Sequence, residues 1–469
     1  MAGTKSYFFC GIGGSGMLPL ALIVHGLGHR VAGSDRTLDQ GRLAPKFEFL
    51  AGRGIALFKQ DGSGLTSPDQ ILVTSAAVEE TVPDVVKAAE IGAARIGRPE
   101  LLAELFNAAP TGIAVGGTSG KSTVTGMIGW ILHSAGRDPT VMNGAVLKNF
   151  VSAELPYASA LVGRGDAFVS EVDESDGSIA LYRPEVAVLT NISLDHKSLD
   201  ELRRLFRDFA GRAEALVVNT DDDENRLLAA ALAPEQLVTC GFSGDSDLFG
   251  SGLVEAPFGV AFEVNDRRSG ATVPVALQVP GLHNAQNAII AIGAAMEAGV
   301  SLAEAARALA GFRGLRRRFE LVGKAGGVTI IDDFGHNPDK IAATLRTLHA
   351  FPGRLLLYFQ PHGFGPLRTM KDGLIAAFAR EMAAGDVLLM PDPAFFGGTT
   401  SREVVSADIV EAVRELGREA EYVPSREQGS ERLVGLARPG DRIVVMGARD
   451  DSLTQFAEEL LARLGRNAG

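Results

Sequence analysis

The sequence has little cysteine and no excess of basic charge, and each shortage excludes a class of protein. Its 469 residues include only two cysteines, Cys10 and Cys240, and both lie in apolar runs typical of buried strands. Two distant thiols form neither a disulfide framework nor a four-cysteine zinc site, so we expect both to be core residues. The formal charge of −12, with no basic stripe, argues against nucleic acid as the main partner.

The sequence also lacks long apolar runs. No window reaches the ~18–20 apolar residues that span a membrane, and the N-terminus has no cleavable signal pattern. We therefore expect a cytoplasmic protein without membrane contact. An apolar fraction of 46% with 22% charged residues is typical of a globular protein with ample core material.

Strand and helix patterns alternate along most of the chain, which is typical of parallel sheets flanked by helices. Small residues and a proline at 107–111 separate two complete patterns, and a third begins near Gly314. The sequence therefore predicts three α/β domains with open sheets, at 1–107, 108–313 and 314–469. Two alternating runs between Gly259 and Val279 predict an antiparallel hairpin attached to the second domain.

A glycine-rich loop follows the first strand of the second domain and precedes a helix. It comprises Gly117, Thr118, Ser119, Gly120, Lys121, Ser122 and Thr123. Backbone N–H groups of such a loop converge on phosphate oxygens, its lysine reaches the terminal phosphates, and its hydroxyl can bind Mg²⁺. The strict phosphate-loop pattern fails at Val115, where it requires glycine. The flanking strand and helix still favour a nucleotide site over a chance glycine turn.

A second glycine-rich turn follows the first strand of the chain. It comprises Gly11, Ile12, Gly13, Gly14, Ser15 and Gly16. Asp35 comes 19 residues after Gly16, a spacing at which a carboxylate can bind a ribose hydroxyl. A dinucleotide-dependent dehydrogenase and a domain that binds the diphosphate of another nucleotide both fit these residues. The small first domain and the separate phosphate loop count against the dehydrogenase.

Polar side chains follow two further strands of the second domain. Glu171 ends one strand and begins an acidic run, and His196 follows the next strand. Carboxylates and an imidazole close to a phosphate loop suit a Mg²⁺-nucleotide site. The later helix that begins near residue 281 carries His283 and Asn284 on a polar face, which fits either a helix cap or an adenine contact.

In combination and in order, these motifs resemble the Mur ligase family, ATP-dependent enzymes that add amino acids to the peptidoglycan precursor. The resemblance extends over essentially the whole chain and is carried by residues 117–123, 171, 190–191, 195–196, 281–287, 317–320 and 332–338. Residues 11–17, 171–177 and 360–362 are most similar to the alanine-adding members.

The resemblance implies a Rossmann-like N-terminal domain that binds UDP-N-acetylmuramate, a central ATP-binding domain with a parallel sheet, and a Rossmann-like C-terminal domain that binds the amino acid. It implies ATP and Mg²⁺ as cofactors, and we expect a monomer or weak homodimer. The implied reaction joins UDP-N-acetylmuramate to an amino acid, with L-alanine favoured, through an acyl phosphate. It also assigns the first glycine turn and Asp35 to the UDP-sugar rather than to a dinucleotide.

Residue roles follow from the same resemblance. The implied catalytic residues are Lys121, Glu171, His196, Arg318 and His336. The implied ATP-binding residues are those of the phosphate loop together with His283, Asn284, Arg318 and Asp333. The implied Mg²⁺ ligands are Ser122, Glu171 and His196, and His336 and Arg368 would contact the amino acid.

Four residues depart from the alanine-adding pattern. Ser119 and Asn337 stand where histidine is usual, Phe334 replaces a tyrosine, and Gly363 replaces an arginine. All four lie where the acceptor and the amine would bind, and none removes the ATP machinery. A murein-peptide recycling ligase, or a related ligase with another amine, therefore remains an alternative, as does a nucleotide-binding regulator.

Overall fold

The computed structural model describes residues 3–193, 197–231, 237–394, 402–448, 450 and 452–467. The chain divides into two compact units. The first consists of Met1–Val254, Val260–Gln278 and Leu282–Arg313, and the second of Glu255–Gly259, Val279–Gly281 and Gly314–Gly469. The first unit contains two sheets, and the predicted division between residues 107 and 108 stays a prediction.

The first sheet has five parallel strands in the order β3-β2-β1-β4-β5. The strands are β1 Ser6–Cys10, β2 Arg30–Ser34, β3 Ala56–Phe58, β4 Gln70–Thr74 and β5 Arg95–Gly97. The helices are α1 Met17–Gly26, α2 Arg36–Asp39, α3 Ala44–Gly52, α4 Pro83–Ile91 and α5 Arg98–Asn107. Phe8 and Phe9 of β1 are fully buried in two different apolar clusters, since helices cover both faces of a parallel sheet.

The second sheet has ten strands in the order β15-β14-β13-β12-β11-β10-β6-β9-β7-β8. The strands are β6 Thr111–Gly116, β7 Thr140–Met142, β8 Ala160–Leu161, β9 Ala167–Glu171, β10 Val186–Leu189, β11 Ala215–Asn219, β12 Leu237–Gly241, β13 Leu248–Ala256, β14 Gly259–Asp266 and β15 Thr272–Leu277. The central strand β6 pairs in parallel with both β9 and β10. Residues that follow these three strands therefore gather at one edge, where α/β sheets bind ligands.

The helices of this part are α6 Lys121–Ser134, α7 Leu199–Ala210, α8 Asp223–Ala229, α9 Leu282–Glu297 and α10 Leu302–Leu309, with short 3₁₀ turns at Lys148–Phe150 and Ser178–Leu181. Helix α9 is rich in alanine and isoleucine and is buried over most of its length, where it packs against α6. This packing fixes the beginning of α9 beside the beginning of α6. The predicted hairpin is confirmed as the antiparallel pair β14 and β15.

The second unit contains a six-stranded sheet in the order β16-β17-β21-β18-β19-β20. The strands are β16 Glu320–Ala325, β17 Val328–Asp333, β18 Leu355–Gln360, β19 Val387–Met390, β20 Glu419–Tyr422 and β21 Arg442–Gly447, and the helices are α11 Pro338–His349, α12 Phe364–Glu381, α13 Ser406–Glu415, α14 Arg426–Leu436 and α15 Ser452–Asn467. The edge strand β16 is antiparallel, and the sequence pattern missed it because its residues are only partly buried.

Three sheets with parallel cores confirm the predicted α/β fold class. The prediction of core cysteines is also confirmed, since Cys10 and Cys240 are free and buried, and burial raises the pKa of the Cys10 thiol to about 12. Across the described residues, no helix combines the length and the apolar character that a bilayer crossing needs.

Candidate functional site

The phosphate loop joins β6 to α6 and is held by the two residues that follow β10. Thr190 Oγ1 and Asn191 Nδ2 donate to the carbonyl oxygen of Ser119 at 2.7 and 2.9 Å, and the Ser119 N–H donates to Asn191 Oδ1 at 3.0 Å. Gly117 has a φ of 124°, and a Cβ atom there would lie 2.1 Å from Thr190 Oγ1. Only glycine fits this position, so the loop can lie directly against the end of β10.

Lys121 and Ser122 are the first two residues of α6, and both contact carboxylates that end or follow β9. Lys121 Nζ donates to the Gly117 carbonyl oxygen at 2.6 Å and to Glu174 Oε2 at 2.8 Å. Ser122 Oγ donates to Glu171 Oε2 at 2.7 Å. The fold thus brings together the predicted lysine, hydroxyl and carboxylate, at a helix start whose partial positive charge favours phosphate.

The residues present fit Mg²⁺ bound together with a nucleotide. Ser122 and Glu171 supply oxygen ligands, which Mg²⁺ prefers. Across the described ranges, no three His, Cys, Asp or Glu side chains form a metal cluster of their own. A Mg²⁺ ion at this position would therefore complete its shell with phosphate oxygens and water. The third predicted ligand, His196, lies outside the described residues, as does Asp195.

The polar start of α9 lies beside the phosphate loop. Asn284 and Asn287 are buried, and Asn287 Nδ2 donates to Asn284 Oδ1 at 3.4 Å. A Cβ atom on Gly120, whose φ is 88°, would lie 2.8 Å from Asn287 Oδ1. His283 is exposed at the same helix start. The structure therefore places both predicted adenine-contacting residues at the phosphate-loop edge of the sheet.

Asp35 is tied into the first glycine turn. Its Oδ2 accepts from the Gly13 N–H at 2.8 Å, and its Oδ1 accepts from the Thr37 N–H at 2.7 Å, where it caps α2. Only 7% of Asp35 is exposed. Its carboxylate therefore holds the turn in shape. Within the described chain, the N–H groups of Ser15 and Gly16 donate to no protein acceptor and precede α1, as an anion-binding turn requires.

A cavity of about 350 Å³ connects this turn to the phosphate loop within the first unit. Residues of the turn, of α5, of α6 and of the acidic segment line it, including Ser15, Gly16, Arg98, Lys121, Asn143, Glu171, Asp173 and Tyr182. Arg98 is the first residue of α5 and lies against Gly16, and its guanidinium is 3.6 Å from Asp176. The cavity is thus lined by both cations and carboxylates.

The charges around the cavity act on Asp173. Burial raises the pKa of this carboxyl, but hydrogen bonds from Ser175 and the positive charges of Lys121 and Arg98 outweigh it and hold the pKa below its ordinary value. Asp173 is therefore ionised at neutral pH. Arg98 was not among the residues predicted from the sequence. Its position, directly after a strand and at the start of a helix, could have identified it.

In the second unit, Arg318 lies on a bent loop before β16. Its guanidinium is 4.4 Å from the ring centroid of Phe334, and its neighbours Arg317 and Phe319 both have left-handed φ, 57° and 49°. The Phe319 N–H donates to Asp333 Oδ1 at 2.9 Å. Such strained backbone persists where the surroundings fix it. Arg318 and Asp333, both predicted ATP residues, are thus joined by one network.

His336 follows β17, and its tautomer is fixed. Its Nδ1 lies 2.8 Å from the Phe334 carbonyl oxygen, which can only accept, so Nδ1 carries the proton and Nε2 a lone pair. Burial, the charge of Lys340 and the nearby His362 lower the pKa of His336 to about 3. The other predicted amino-acid contact, Arg368, is half exposed and lies 3.8 Å from Glu403.

Comparison with known proteins identifies the family. Residues 6–109 match the catalytic domain of the Mur ligase family, residues 115–295 its middle domain, and residues 317–449 its glutamate ligase domain. The UDP-N-acetylmuramate–L-alanine ligases of Agrobacterium fabrum and Streptomyces coelicolor are 33% and 35% identical, each over 98% of this chain and 97% of their own. The chain belongs to the Mur ligase family.

Solved structures agree with this membership. The UDP-N-acetylmuramate–alanine ligase of Thermotoga maritima superposes with a TM-score of 0.80 at 22% identity, over 98% of this chain and 99% of its own, and shows the shared fold. A murein peptide ligase of Psychrobacter arcticus has a TM-score of 0.72 at 25% identity over the same shares. As a Mur ligase the protein is an enzyme of an ATP-dependent family, which confirms the predicted enzyme class and excludes the dehydrogenase.

Proposed function

We propose that this Mur ligase joins L-alanine to UDP-N-acetylmuramate, with hydrolysis of ATP to ADP and phosphate. The observation that best supports this is the cavity of about 350 Å³ that connects the first glycine turn to Lys121 and Glu171. A nucleotide-linked sugar bound at the turn would extend its carboxylate through this cavity to the phosphate loop. ATP and a UDP-linked precursor as substrates also fit a cytoplasmic enzyme.

The acceptor would be bound mainly through its charge. The N–H groups of Ser15 and Gly16 at the start of α1 suit a diphosphate, and Arg98 lies beside them as a second positive group. Asp35 would act by holding the turn, because both of its oxygens already accept backbone hydrogen bonds. The lactyl carboxylate would then lie in the part of the cavity lined by Lys121 and Glu171.

In the first step, a carboxylate oxygen of the acceptor attacks the γ-phosphorus of ATP, and the bond to the bridging oxygen breaks to give ADP and an acyl phosphate. Two anions must approach each other, so electrostatic stabilisation is the main protein contribution. Lys121 supplies it from the phosphate loop, and we propose Arg318 for the same role. Mg²⁺, bound by Ser122, Glu171 and His196, would neutralise phosphate charge when present.

The rest of the nucleotide would contact the residues that the resemblance implies. His283 and Asn284 lie at the start of α9 on the phosphate-loop edge of the sheet, where an adenine ring could contact them. We propose Asp333 for the ribose, although its two oxygens also hold the Phe319 and Gly335 N–H groups and the Thr344 hydroxyl. Asp333 therefore holds the loop that carries Arg318 in shape, whether or not it also contacts ATP.

In the second step, the amine attacks the acyl carbonyl and phosphate leaves. His336 is suited to orient the amine by accepting a hydrogen bond, because its ring is neutral at physiological pH and Nε2 carries a lone pair, while its pKa of about 3 makes it too weak a base to take the proton. The proton that the amine loses leaves with the released phosphate, which is the stronger base. Arg368 is our candidate for the carboxylate of the amino acid, since its present partner, Glu403, is itself exposed. The second step is thus assigned to residues of the second unit.

Three of the four departures have a structural explanation in the fold. Asn337 caps α11 by accepting the Lys340 N–H at 2.9 Å, which a histidine cannot do as well. Phe334 provides the aromatic face for Arg318. Gly363 has a φ of 135° and precedes α12, so its backbone conformation is one that an arginine would rarely adopt. These changes lie where the amine would bind, so the identity of the amine substrate is what the experiment must test.

The test is phosphate release from ATP in the presence of Mg²⁺ and UDP-N-acetylmuramate, screened against single amino acids and against the murein tripeptide. We expect release to require the acceptor and to be highest with L-alanine. Higher activity with the tripeptide would instead identify a peptide-recycling ligase. Release that no amine stimulates would contradict the proposed function, and Lys121→Ala provides the inactive control.

A further inference from the structure

Lys121 is held by a carboxylate that the reaction scheme does not use. Its Nζ donates to Glu174 Oε2 at 2.8 Å and to the Gly117 carbonyl oxygen at 2.6 Å. The Glu174 side chain is only 8% exposed and that of Lys121 20% exposed. An ammonium group has three donors, so two of the three are directed at the protein itself.

The segment that carries Glu174 is braced on both sides of it. Glu171, at the end of β9, accepts from Ser122 at 2.7 Å. Asp173 and Asp176 each accept a backbone N–H two residues further along, from Ser175 and Ser178, at 2.8 Å. Glu174 therefore contacts Lys121 from a fixed turn.

A phosphate-loop lysine must direct its donors at the β- and γ-phosphates of the nucleotide. The contact with Gly117 can persist, because that carbonyl belongs to the loop itself. The contact with Glu174 cannot persist unchanged, because the carboxylate and a phosphate oxygen would compete for the same ammonium and repel each other at short range.

We propose that Glu174 is a positioning residue that occupies, before ATP binds, the Lys121 donor that the γ-phosphate takes in the ATP complex. The inference rests on the proposed function only in that the loop binds ATP. Glu174 keeps Lys121 directed into the site and at the same time lowers the affinity for the nucleotide, since its ion pair must open before the phosphate can bind.

The test uses the full-length protein with Mg²⁺ and ATP but without acceptor or amine, so that binding is measured without turnover. Glu174→Gln keeps the shape and removes the charge. We expect its Kd for ATP to fall by about tenfold, because a charge-assisted hydrogen bond no longer has to be exchanged. Glu174→Asp, which restores the charge, should return the Kd towards that of the wild type.

The matched control is Glu154→Gln, an exposed glutamate of the same unit that does not line the cavity. It should leave the Kd for ATP unchanged. A second measurement does not depend on the affinity for ATP. Acetylation of Lys121 by an amine-reactive reagent, quantified by mass spectrometry, should be faster in Glu174→Gln than in the wild type. ATP should protect Lys121 in both.

The outcomes separate the two proposals. If the wild type binds ATP but Glu174→Gln shows an unchanged or higher Kd for ATP and an unchanged rate of Lys121 acetylation, the proposed role of Glu174 is overturned. A wild-type protein that binds no ATP would overturn the proposed function itself. Comparable melting temperatures of the variants would confirm that the difference arises in the site.

Discussion

Ser122 Oγ donates a hydrogen bond of 2.7 Å to Glu171 Oε2, and this contact joins the start of α6 to the end of β9. The two residues come from a helix and a strand that pack against each other, and both are oxygen ligands of the kind that Mg²⁺ prefers. They are separated by 49 positions in the chain. Substitutions of the two residues, singly and together, therefore test whether the two oxygens bind one ion.

Ser122→Ala and Glu171→Gln should each raise the Mg²⁺ concentration needed for half-maximal phosphate release by at least about tenfold. If both side chains bind the same ion, the double variant should lose less than the sum of the two single losses in free energy. A Mg²⁺ titration of the four proteins measures this. Strictly additive losses would show that the two side chains act independently.

Gly117→Ala should weaken nucleotide binding about 5- to 150-fold. An alanine Cβ would lie 2.1 Å from Thr190 Oγ1 at a φ of 124°, so the loop must move away from β10, at a cost of about 1–3 kcal/mol. Gly52→Ala, at the end of α3 with no atom within 4 Å of the added Cβ, is the matched control. ATP binding measured by calorimetry should be weakened only in the first variant, and equal affinities would contradict the loop geometry.

His336 should make the free energy of unfolding depend on pH. Burial and the neighbouring cations lower its pKa in the folded chain from 6.5 to about 3, so its contribution to stability is fully present above pH 6.5 and is lost as the pH falls towards 3. The slope for one proton is about 1.4 kcal/mol per pH unit. His336→Asn should remove this slope between pH 6.5 and 4 in thermal unfolding experiments.

The wild type must be compared with the variant, because Asp332 changes the pH dependence of stability in the direction opposite to His336. Burial and the charge of Glu320 raise its pKa to about 6 against the attraction of Arg317. Its contribution favours folding at low pH and is lost as the pH rises through 6. The difference between the two proteins isolates His336. An identical pH dependence in both would contradict the buried neutral imidazole.

Phe334 should orient Arg318 through its ring face. Phe334→Leu removes a cation–π contact at 4.4 Å, which is worth about 0.5–1 kcal/mol, so kcat/KM for ATP should fall about two- to fivefold. Phe334→Tyr keeps the ring face and should stay within about twofold of the wild type. If Tyr lowers kcat/KM as much as Leu does, the ring is not the orienting group.

The phosphate loop could be predicted because its signal is local. Glycines at fixed spacing, a lysine, a hydroxyl and the flanking strand and helix all occur within residues 112–135. The family resemblance then added Arg318, Asp333 and His336, which no local pattern assigns to a site. The fold class followed from the alternation of buried strands with helices, since this alternation is specific for parallel sheets.

Contacts between distant segments could not be predicted. Asp35 matches the spacing of a ribose-binding carboxylate, yet its oxygens hold Gly13 and Thr37. Glu174 belongs to an acidic run that usually indicates solvated loop, and its ion pair with Lys121 depends on the packing of β9 beside β6. Arg98 reaches the first glycine turn only because α5 begins at the same sheet edge.

The central claim is that the acceptor carboxylate attacks ATP and becomes an acyl phosphate. The most direct test uses UDP-N-acetylmuramate with ¹⁸O in its lactyl carboxylate, together with ATP, Mg²⁺ and L-alanine. The account predicts that one ¹⁸O atom per turnover appears in the released phosphate, as measured by mass spectrometry. Phosphate without ¹⁸O, released while the alanine product forms, would contradict it.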